Sequence, residues 1–379
     1  MMNRLTKLFY VTVAVFILFY FTAGKKFFTS APETKKDYRY LTLFSEIVSK
    51  TKIEYFEDIT PGEKFPGAYT AILGHLDKVS AYLDTRQTQV YDCYRKGKSY
   101  HPGIFGAKSG NYFYISDVVK DSPASKAGIK PGDIIKSISG KSLFGLPFYQ
   151  MYFSLLSDKP ADIDVSVYKK QSKKTEKINL QTGFFESRTR IREMENNILM
   201  IEIPRIDKES AAYLLENLKD KKCPKLLIDL RHYTGGNFHS FLDIANIFFK
   251  DSPGFTIGLH KKKKEKKFPV GSDTVADYRA VVIVNKSTIM YGELLAALFK
   301  LNQQDNNHPT TIIGRKTPGF ISQVKQVRMN DGSSILLSEG FFFIKDEKTV
   351  KSGVKPDIEL KLKEFDHLID RATTILNEG

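Results

Sequence analysis

The sequence predicts an α/β protein (α+β overall) built from more than one domain, and three observations support this. The chain has 379 residues, more than one hydrophobic core usually covers, and 41% of them are hydrophobic. From residue 198 onward, apolar runs of strand length alternate with helical patterns, as in a sheet with crossover helices. Before that region, short strands separated by Pro and Gly turns follow a helical segment.

The amino terminus, residues 1–36, predicts a membrane anchor and linker. Leu8 to Gly24 is a run of seventeen residues without a charge, with basic residues on both sides. Its length lies between a spanning helix and a signal-peptide core, and the small-residue cleavage site is poor, so we expect an uncleaved anchor. Basic residues before the run place the amino terminus inside and the body outside, in a bacterial periplasm or on the cell surface, although the two lysines after it oppose this orientation.

Residues 37–96 show helical periodicity. Apolar residues recur at helical spacing at Leu43, Phe44, Ile47, Val48, Ala71, Ile72, Leu76, Val79 and Leu83. This predicts amphipathic helices that need a partner surface. The lone His75 among them is interpreted as a packing or surface residue rather than a ligand.

Residues 97–183 contain pronounced turn chemistry. Ser122 is predicted to cap a short helix that begins at Pro123 and ends at Gly128, and Pro131-Gly132 then turns the chain into a strand. With the upstream "GIFG" at Gly103 to Gly106, this succession resembles a PDZ domain of the bacterial protease type. An unrelated small β domain is the alternative interpretation.

The PDZ resemblance implies a peptide-binding loop. In such domains a glycine-containing loop offers backbone N–H groups to a carboxyl terminus, while the peptide adds as a strand to a sheet edge. The residues in this role would be Gly103, Ile104, Phe105 and Gly106. Peptide or protein C-terminal segments are therefore the implied partners.

Residues 184–365 contain the α/β alternation, followed by a C-terminal helix at 366–379. The motifs "KLLIDLRHYTGG", "IIGRKTPG", "DGSSILLSEGFFF" and "SGVKPDIEL" occur in this order. They resemble the carboxyl-terminal processing, or tail-specific, peptidases, which use a serine/lysine dyad. The resemblance covers roughly Leu41 to Leu362 and implies a core of the ClpP/crotonase-like type, without a cofactor.

The resemblance assigns the dyad to residues that cannot do its chemistry. The family's nucleophilic serine lies three residues before a glutamate, here Glu293, so its position is Met290. The lysine position is Phe320, and the glutamine four residues further is Val324, with Gln323 as a substitute if the loop shifts by one. A thioether neither attacks a carbonyl nor holds a proton at neutral pH.

The oxyanion-binding loop keeps its glycines. Gly235 and Gly236 could still offer N–H groups to an oxyanion. The buried strand "AVVIV", the turn "NKST" and the helix around Met290 would place this site at the carboxyl edge of the sheet. The combination predicts a catalytically inactive scaffold or adaptor that binds peptide, a second copy of the chain or an active homologue.

The alternative function is an active serine endopeptidase that processes exported proteins through a relocated site. Ser287 with Lys316 is the best candidate pair, although both would have to shift. Lys286, adjacent to Ser287, is a weaker partner.

Composition excludes several other classes. The 58 Lys and Arg against 43 Asp and Glu give a net charge of +15, but no nucleic-acid motif accompanies it, so no nucleic-acid partner is predicted. The basic run Lys261 to Lys267 is interpreted as a solvated hairpin tip, with a docking patch as the alternative. The distant Cys93 and Cys223 predict no disulfide framework, and the histidine spacing predicts no metal site.

Overall fold

The computed structural model describes residues 35–57, 61–185, 187–219, 224–249, 252–259, 264–271, 278–305, 309–343, 352–361 and 367–378. The predicted anchor at Leu8 to Gly24 lies outside these residues. Among the helices that the structure does describe, none is long and apolar enough to cross a membrane. The chain divides into two compact units, Met1–Phe65 and Pro66–Gly379.

The helical region begins with α1 (Lys35–Glu54) and α2 (Pro61–Gly74). The apolar positions predicted to be buried in α1 are largely exposed, with Leu43 at 50% and Ile47 at 54%. In α2 and the turn after it, Ile72 and Leu76 are likewise exposed, whereas Val79 and Leu83 are buried. The pattern therefore marks real helices, but only its last positions enter the core.

The PDZ region folds as a twisted antiparallel sheet. Its strands are β2 (Ile104–Ser109), β3 (Tyr112–Val118), β4 (Ile134–Ile138), β5 (Lys141–Ser142), β6 (Asp162–Lys169) and β7 (Lys174–Gln181). They run in the order β2-β3-β4-β6-β7, and β5 pairs with β4. Strand β2 is thus the end strand of the sheet in the described part of the chain.

The predicted turn chemistry of this region is confirmed. The short helix α4 (Pro123–Lys126) is capped by Ser122, whose Oγ accepts a hydrogen bond from the Ser125 N–H at 3.1 Å. Gly128 has φ +71°, the left-handed conformation that favours glycine at a helix end. A second helix, α5 (Phe148–Leu155), packs against β2 and β3.

The α/β alternation predicted for the later residues forms a second sheet. Its strands are β8 (Arg190–Met194), β9 (Ile198–Glu202), β10 (Lys225–Asp229), β13 (Arg279–Val284), β14 (Thr310–Gly314) and β17 (Ile358–Glu359). They are ordered β17-β14-β13-β10-β9-β8 and pair in parallel, except that β8 is antiparallel to β9. The helices are α6 (Lys208–Leu218), α7 (Phe238–Phe248), α8 (Met290–Asp305) and α9 (Leu368–Glu378).

A third sheet joins distant parts of the sequence. Its strands are β1 (Ala81–Leu83), β11 (Ser252–Leu259), β12 (Lys264–Val270), β15 (Ser322–Arg328) and β16 (Ser334–Phe343). The helix α3 (Thr85–Arg95) follows β1 in the chain. Strand β1 corrects the purely helical prediction for residues 37–96. Three residues carry no strand periodicity of their own, and β1 exists because Ala81 pairs with Leu336.

The lysine run belongs partly to this third sheet. Lys264 to Lys267 lie in β12, which pairs antiparallel with β11, as expected of a hairpin. Residues 260–263, the predicted tip, are outside the described part of the chain.

One apolar core is continuous across the PDZ region and the α/β region. Phe113 of β3, Phe148 of α5 and Phe299 of α8 are all fully buried members of the same cluster. The rings of Phe148 and Phe320 lie 4.9 Å apart, so the PDZ helix packs directly on the loop after β14. This contact positions the site described next.

Candidate functional site

The site is built on the turn between β13 and α8. Asn285 Oδ1 accepts hydrogen bonds from the Ser287 N–H at 2.8 Å and from Ser287 Oγ at 2.7 Å. Thr288 Oγ1 accepts from the Asn285 N–H at 3.0 Å and donates to the Leu230 carbonyl at 2.9 Å. These side chains are buried, and their hydrogen bonds to one another and to the Leu230 carbonyl fix the turn.

Met290 has an unusual backbone at the first position of α8. Its φ is +52°, in the left-handed region that non-glycine residues rarely adopt. Such a conformation costs on the order of 1–3 kcal/mol and is typical of functional sites. A strained strand-to-helix turn is also how other hydrolase folds expose a nucleophile. The strained backbone at Met290 agrees with the nucleophile position that the resemblance predicts there, whereas the side chain is a thioether.

Glu293 links α8 to the loop that contains Phe320. Its carboxylate is fully buried and accepts hydrogen bonds from the Gly319 N–H at 2.7 Å, the Phe320 N–H at 2.8 Å and the Thr317 hydroxyl. Burial raises the pKa of Glu293 to about 7, although these hydrogen bonds oppose the shift. The two family motifs thus meet in space, as the resemblance implies.

Phe320 places a ring where the resemblance assigns a lysine. The side chain is buried and belongs to the same apolar cluster against which Met290 packs. The pairing of β15 with β16 shifts register between Gln323 and Val324: Gln323 pairs with Gly340 and Val324 with Ser338, so the extra residue lies in β16. The one-residue shift considered for Gln323 stays a prediction.

The glycine loop adjoins the start of α8. A Cβ built on Gly292 would lie 3.0 Å from the Tyr233 ring, which shows how closely the loop approaches the helix. Gly235 has φ +111°, and a Cβ on Gly236 would lie 2.2 Å from the Ile206 carbonyl oxygen, so both positions need glycine. Within the described residues, neither glycine N–H donates a backbone hydrogen bond, and both stay candidates for anion binding.

A half-buried charge cluster connects this loop to the PDZ sheet. Arg231 donates to both oxygens of Asp229, and His232 Nε2 lies 2.9 Å from Asp117 Oδ2 of β3. Burial lowers the pKa of His232, but the hydrogen bond and charge of Asp117 outweigh it and the pKa is raised. Burial, together with His232, lowers the pKa of His101 to about 4. Sequence reasoning missed this cluster because its members come from both domains.

The predicted peptide-binding loop, Gly103 to Gly106, lies at the start of β2 and is buried. The Phe105 ring is 5.0 Å from the His232 ring, so residues of the α/β region cover the loop. A Cβ on Gly103 would lie 2.3 Å from Ser122 Cβ, which leaves no space for another residue there. Peptide capture at this loop stays a prediction.

The structure does not bring the alternative dyad together. Ser287 Oγ is buried, and its partners are Asn285 Oδ1 and Ser116 Oγ, the latter at 3.1 Å. Lys316 is exposed and lines a cavity of about 620 Å³ that Ser287 does not line. Among the described contacts, no hydrogen bond joins the Ser287 hydroxyl to a lysine.

This cavity lies between β2, α5 and the Phe320 loop. Its lining residues are Gly74, Asp77, Lys78, Ala107, Lys108, Gly110, Pro147, Phe148, Lys286, Lys316, Thr317, Pro318, Phe320 and Ser352. The lining combines the aromatic side chains of Phe148 and Phe320 with four lysines. The sequence offered no signal for it, since the lysines come from four distant segments.

Comparison with protein families and curated proteins identifies two regions of the chain. Residues 197–360 match peptidase family S41, and residues 114–160 match the PDZ domain. The carboxy-terminal processing protease CtpA of Bacillus subtilis is 23% identical over 380 residues, covering 96% of this chain and 79% of the relative. CtpB of the same organism is 26% identical over 325 residues, covering 82% of this chain and 66% of the relative.

Other relatives are matched over less of their length. A probable CtpA-like serine protease of Staphylococcus epidermidis is 22% identical over 301 residues, covering 77% of this chain and 59% of the relative. Among solved structures, a photosystem II D1 C-terminal processing protease superposes with a TM-score of 0.65 at 16% identity, covering 87% of this chain and 90% of that chain. This likeness shows that the fold is shared.

Proposed function

Because the chain carries a peptidase family S41 core and a PDZ domain, we propose that it is a catalytically inactive member of the carboxyl-terminal processing peptidases that binds peptide C-terminal segments. The observation that carries this proposal is Met290. It has the strained backbone of a nucleophile position, at the start of a helix at the sheet's carboxyl edge, but its side chain has no nucleophilic atom.

The surrounding groups support inactivity. Phe320 has no amine that could act as a base, and its ring packs on Phe148. The nearby hydroxyl groups of Ser287 and Thr288 donate to Asn285 Oδ1 and to the Leu230 carbonyl. A hydroxyl that is buried and already donating its proton has no base to activate it.

Peptide binding is supported by groups that do not depend on the dyad. Strand β2 ends its sheet among the described strands, and its exposed residues Lys108 and Ser109 offer an edge where a peptide would add as a further strand. The glycine N–H groups at Gly235 and Gly236 offer donors near α8. The proposed partners are peptide C-termini, and beyond them a second copy of the chain or an active homologue.

The proposed location is extracytoplasmic, with the body attached to a membrane by the amino terminus. The support for this is the uncharged segment Leu8 to Gly24 and the basic residues before it. Fractionation of cells, followed by protease treatment of intact spheroplasts, tests this part of the proposal. Protection of the body from external protease would contradict it.

A cleavage assay tests inactivity. The full-length chain is incubated with casein and with tail-labelled peptides, beside the Ser287→Ala variant and an active relative as positive control. We expect no cleavage above background from either form of this chain. Cleavage by the wild type that Ser287→Ala abolishes would refute inactivity and establish the relocated serine site.

A further inference from the structure

We propose that the cavity of about 620 Å³ beside Phe320 binds an acidic peptide segment through the amino groups of four lysines. The lysines are Lys78, Lys108, Lys286 and Lys316. This inference rests on the proposed function, because it names the class of peptide that the inactive site would hold. The test of this inference is whether peptide binding depends on these lysines, and binding is measured independently of cleavage.

Among the residues that the structure describes, no carboxylate is paired with the lysines of the cavity. Asp77 is the one acidic residue in the lining, and its oxygens accept from the N–H groups of Val79 and Ser80 and from the Ser80 hydroxyl. Glu293, whose charge reaches Lys78, is buried with its oxygens occupied by three donors.

The amino groups are held in place by weak partners that an anion can outcompete. Lys78 Nζ donates to the Pro318 carbonyl and Lys108 Nζ to the Gly145 carbonyl, each at 3.1 Å. Lys286 Nζ lies 4.6 Å from the centre of the Tyr114 ring, and Lys316 is exposed. A carboxylate adds its own negative charge to the attraction that a lysine ammonium group already has for a neutral carbonyl oxygen, so it binds the amino group more strongly than the carbonyl does.

Burial of two of the amino groups adds to this. Burial lowers the pKa of Lys108, and burial together with the Arg315 guanidinium lowers the pKa of Lys286. A bound carboxylate would relieve both effects, because an opposite charge favours the protonated amine. The apolar part of the lining, Phe148 and Phe320, would pack against the carbon atoms of the same segment.

The neighbouring strand makes a peptide the fitting occupant. Ala107 and Lys108 of β2 line the cavity, and β2 is the end strand of its sheet among the described strands. A peptide added to β2 would therefore pass the cavity and present alternate side chains to it. The volume lies within the range of about 300–1,000 Å³ that is usual for specific ligand sites.

The test measures binding of a fluorescein-labelled peptide of alternating glutamate and alanine to the full-length chain by anisotropy. A matched peptide carries glutamine in place of glutamate. We expect the glutamate peptide to bind at least about tenfold more tightly than the glutamine peptide and to weaken as salt rises. Equal binding of the two peptides would overturn the proposal.

Variants locate the binding. Lys286→Gln with Lys316→Gln should weaken binding of the glutamate peptide by about tenfold, since each exposed pair contributes about 0.5–1 kcal/mol. The charge-matched control, Lys174→Gln with Lys177→Gln in the exposed part of β7, should leave it unchanged. If the first pair disturbs folding, Lys316→Gln alone is used, because that side chain is exposed and its removal should weaken binding about threefold.

Three further outcomes are decisive. Equal loss of binding in the cavity variant and the control variant would show a general charge effect and overturn the cavity as the binding site. Inorganic polyphosphate that binds the same lysines more tightly than the glutamate peptide would overturn the peptide as occupant. Cleavage of a peptide whose binding depends on the lysines would instead refute the proposed inactivity and leave the cavity standing.

Discussion

The turn at Met290 and strand β2 of the PDZ sheet differ in what their side chains can do. The turn and the loop beside it are held by buried hydrogen bonds that Asn285 and Glu293 accept and Thr288 donates, but the turn presents a thioether. Strand β2 begins in a buried loop, and Lys108, near its end, lines the cavity that contains the four lysines. In the proposed function, the turn keeps the backbone of a catalytic site, whereas Met290 and Phe320, at the predicted dyad positions, supply no reacting atoms. The cavity lysines are charged groups available to a ligand, and this difference supports the proposal that the protein holds peptides rather than cutting them.

The largest expected effect is on the hydrogen bonds by which Glu293 joins α8 to the loop that contains Phe320. Glu293→Ala would leave the Gly319 N–H, the Phe320 N–H and the Thr317 hydroxyl without their buried acceptor. We expect a loss of about 3–5 kcal/mol in the free energy of unfolding, because each buried donor left without an acceptor costs about 1–3 kcal/mol. Urea unfolding of the wild type and the variant measures this. A change below about 1 kcal/mol would show that Glu293 does not hold the two motifs together.

The pH dependence of the free energy of unfolding reports on the same Glu293 carboxylate. Its folded pKa of about 7 is above the unfolded value of 4.5, so the folded state binds the extra proton between these values and its stability falls as pH rises. Relative to Glu293→Gln, which does not titrate, the wild type should lose about 3 kcal/mol between about pH 4.5 and pH 7. Urea midpoints of the two proteins across that window give the difference. A difference in stability that is independent of pH would contradict the raised pKa of the buried Glu293 carboxyl.

Restoring the reacting atoms sharpens the comparison. Met290→Ser with Phe320→Lys should raise hydrolysis of tail-labelled peptides about a hundredfold above background, because a positioned base contributes on the order of 10²–10⁴. Met290→Ser alone should stay at background, since a serine without its base is a poor nucleophile. Equal activity of the single and double variants would show that Phe320 does not occupy the base position.

Local chemistry made much of this structure predictable. The cap at Ser122, the strand Arg279–Val284 and the helix that starts at Met290 follow from residues adjacent in sequence, and the structure has each of them. Strand β1 was missed because it depends on pairing with β16, more than 250 residues away. Pairings at that separation leave no local pattern.

The candidate site was predictable in its backbone but not in its surroundings. Motif order brought Glu293 and Phe320 together, and their hydrogen bond at 2.8 Å agrees with that. The cover over Gly103 to Gly106 comes from His232 in another domain, and the cavity lysines come from four separate segments. Such convergence is set by tertiary packing alone.

Recovery of a bound peptide tests the central claim most directly. The full-length chain is incubated with a labelled free-acid peptide that it binds, and in parallel with the amidated form as control. The incubation lasts many times the half-life of the complex. The peptide is then released, and its mass is measured by mass spectrometry. The account predicts tighter binding of the free acid and recovery of the peptide intact. Shortened products released by the wild-type chain, with none from buffer alone, would contradict it.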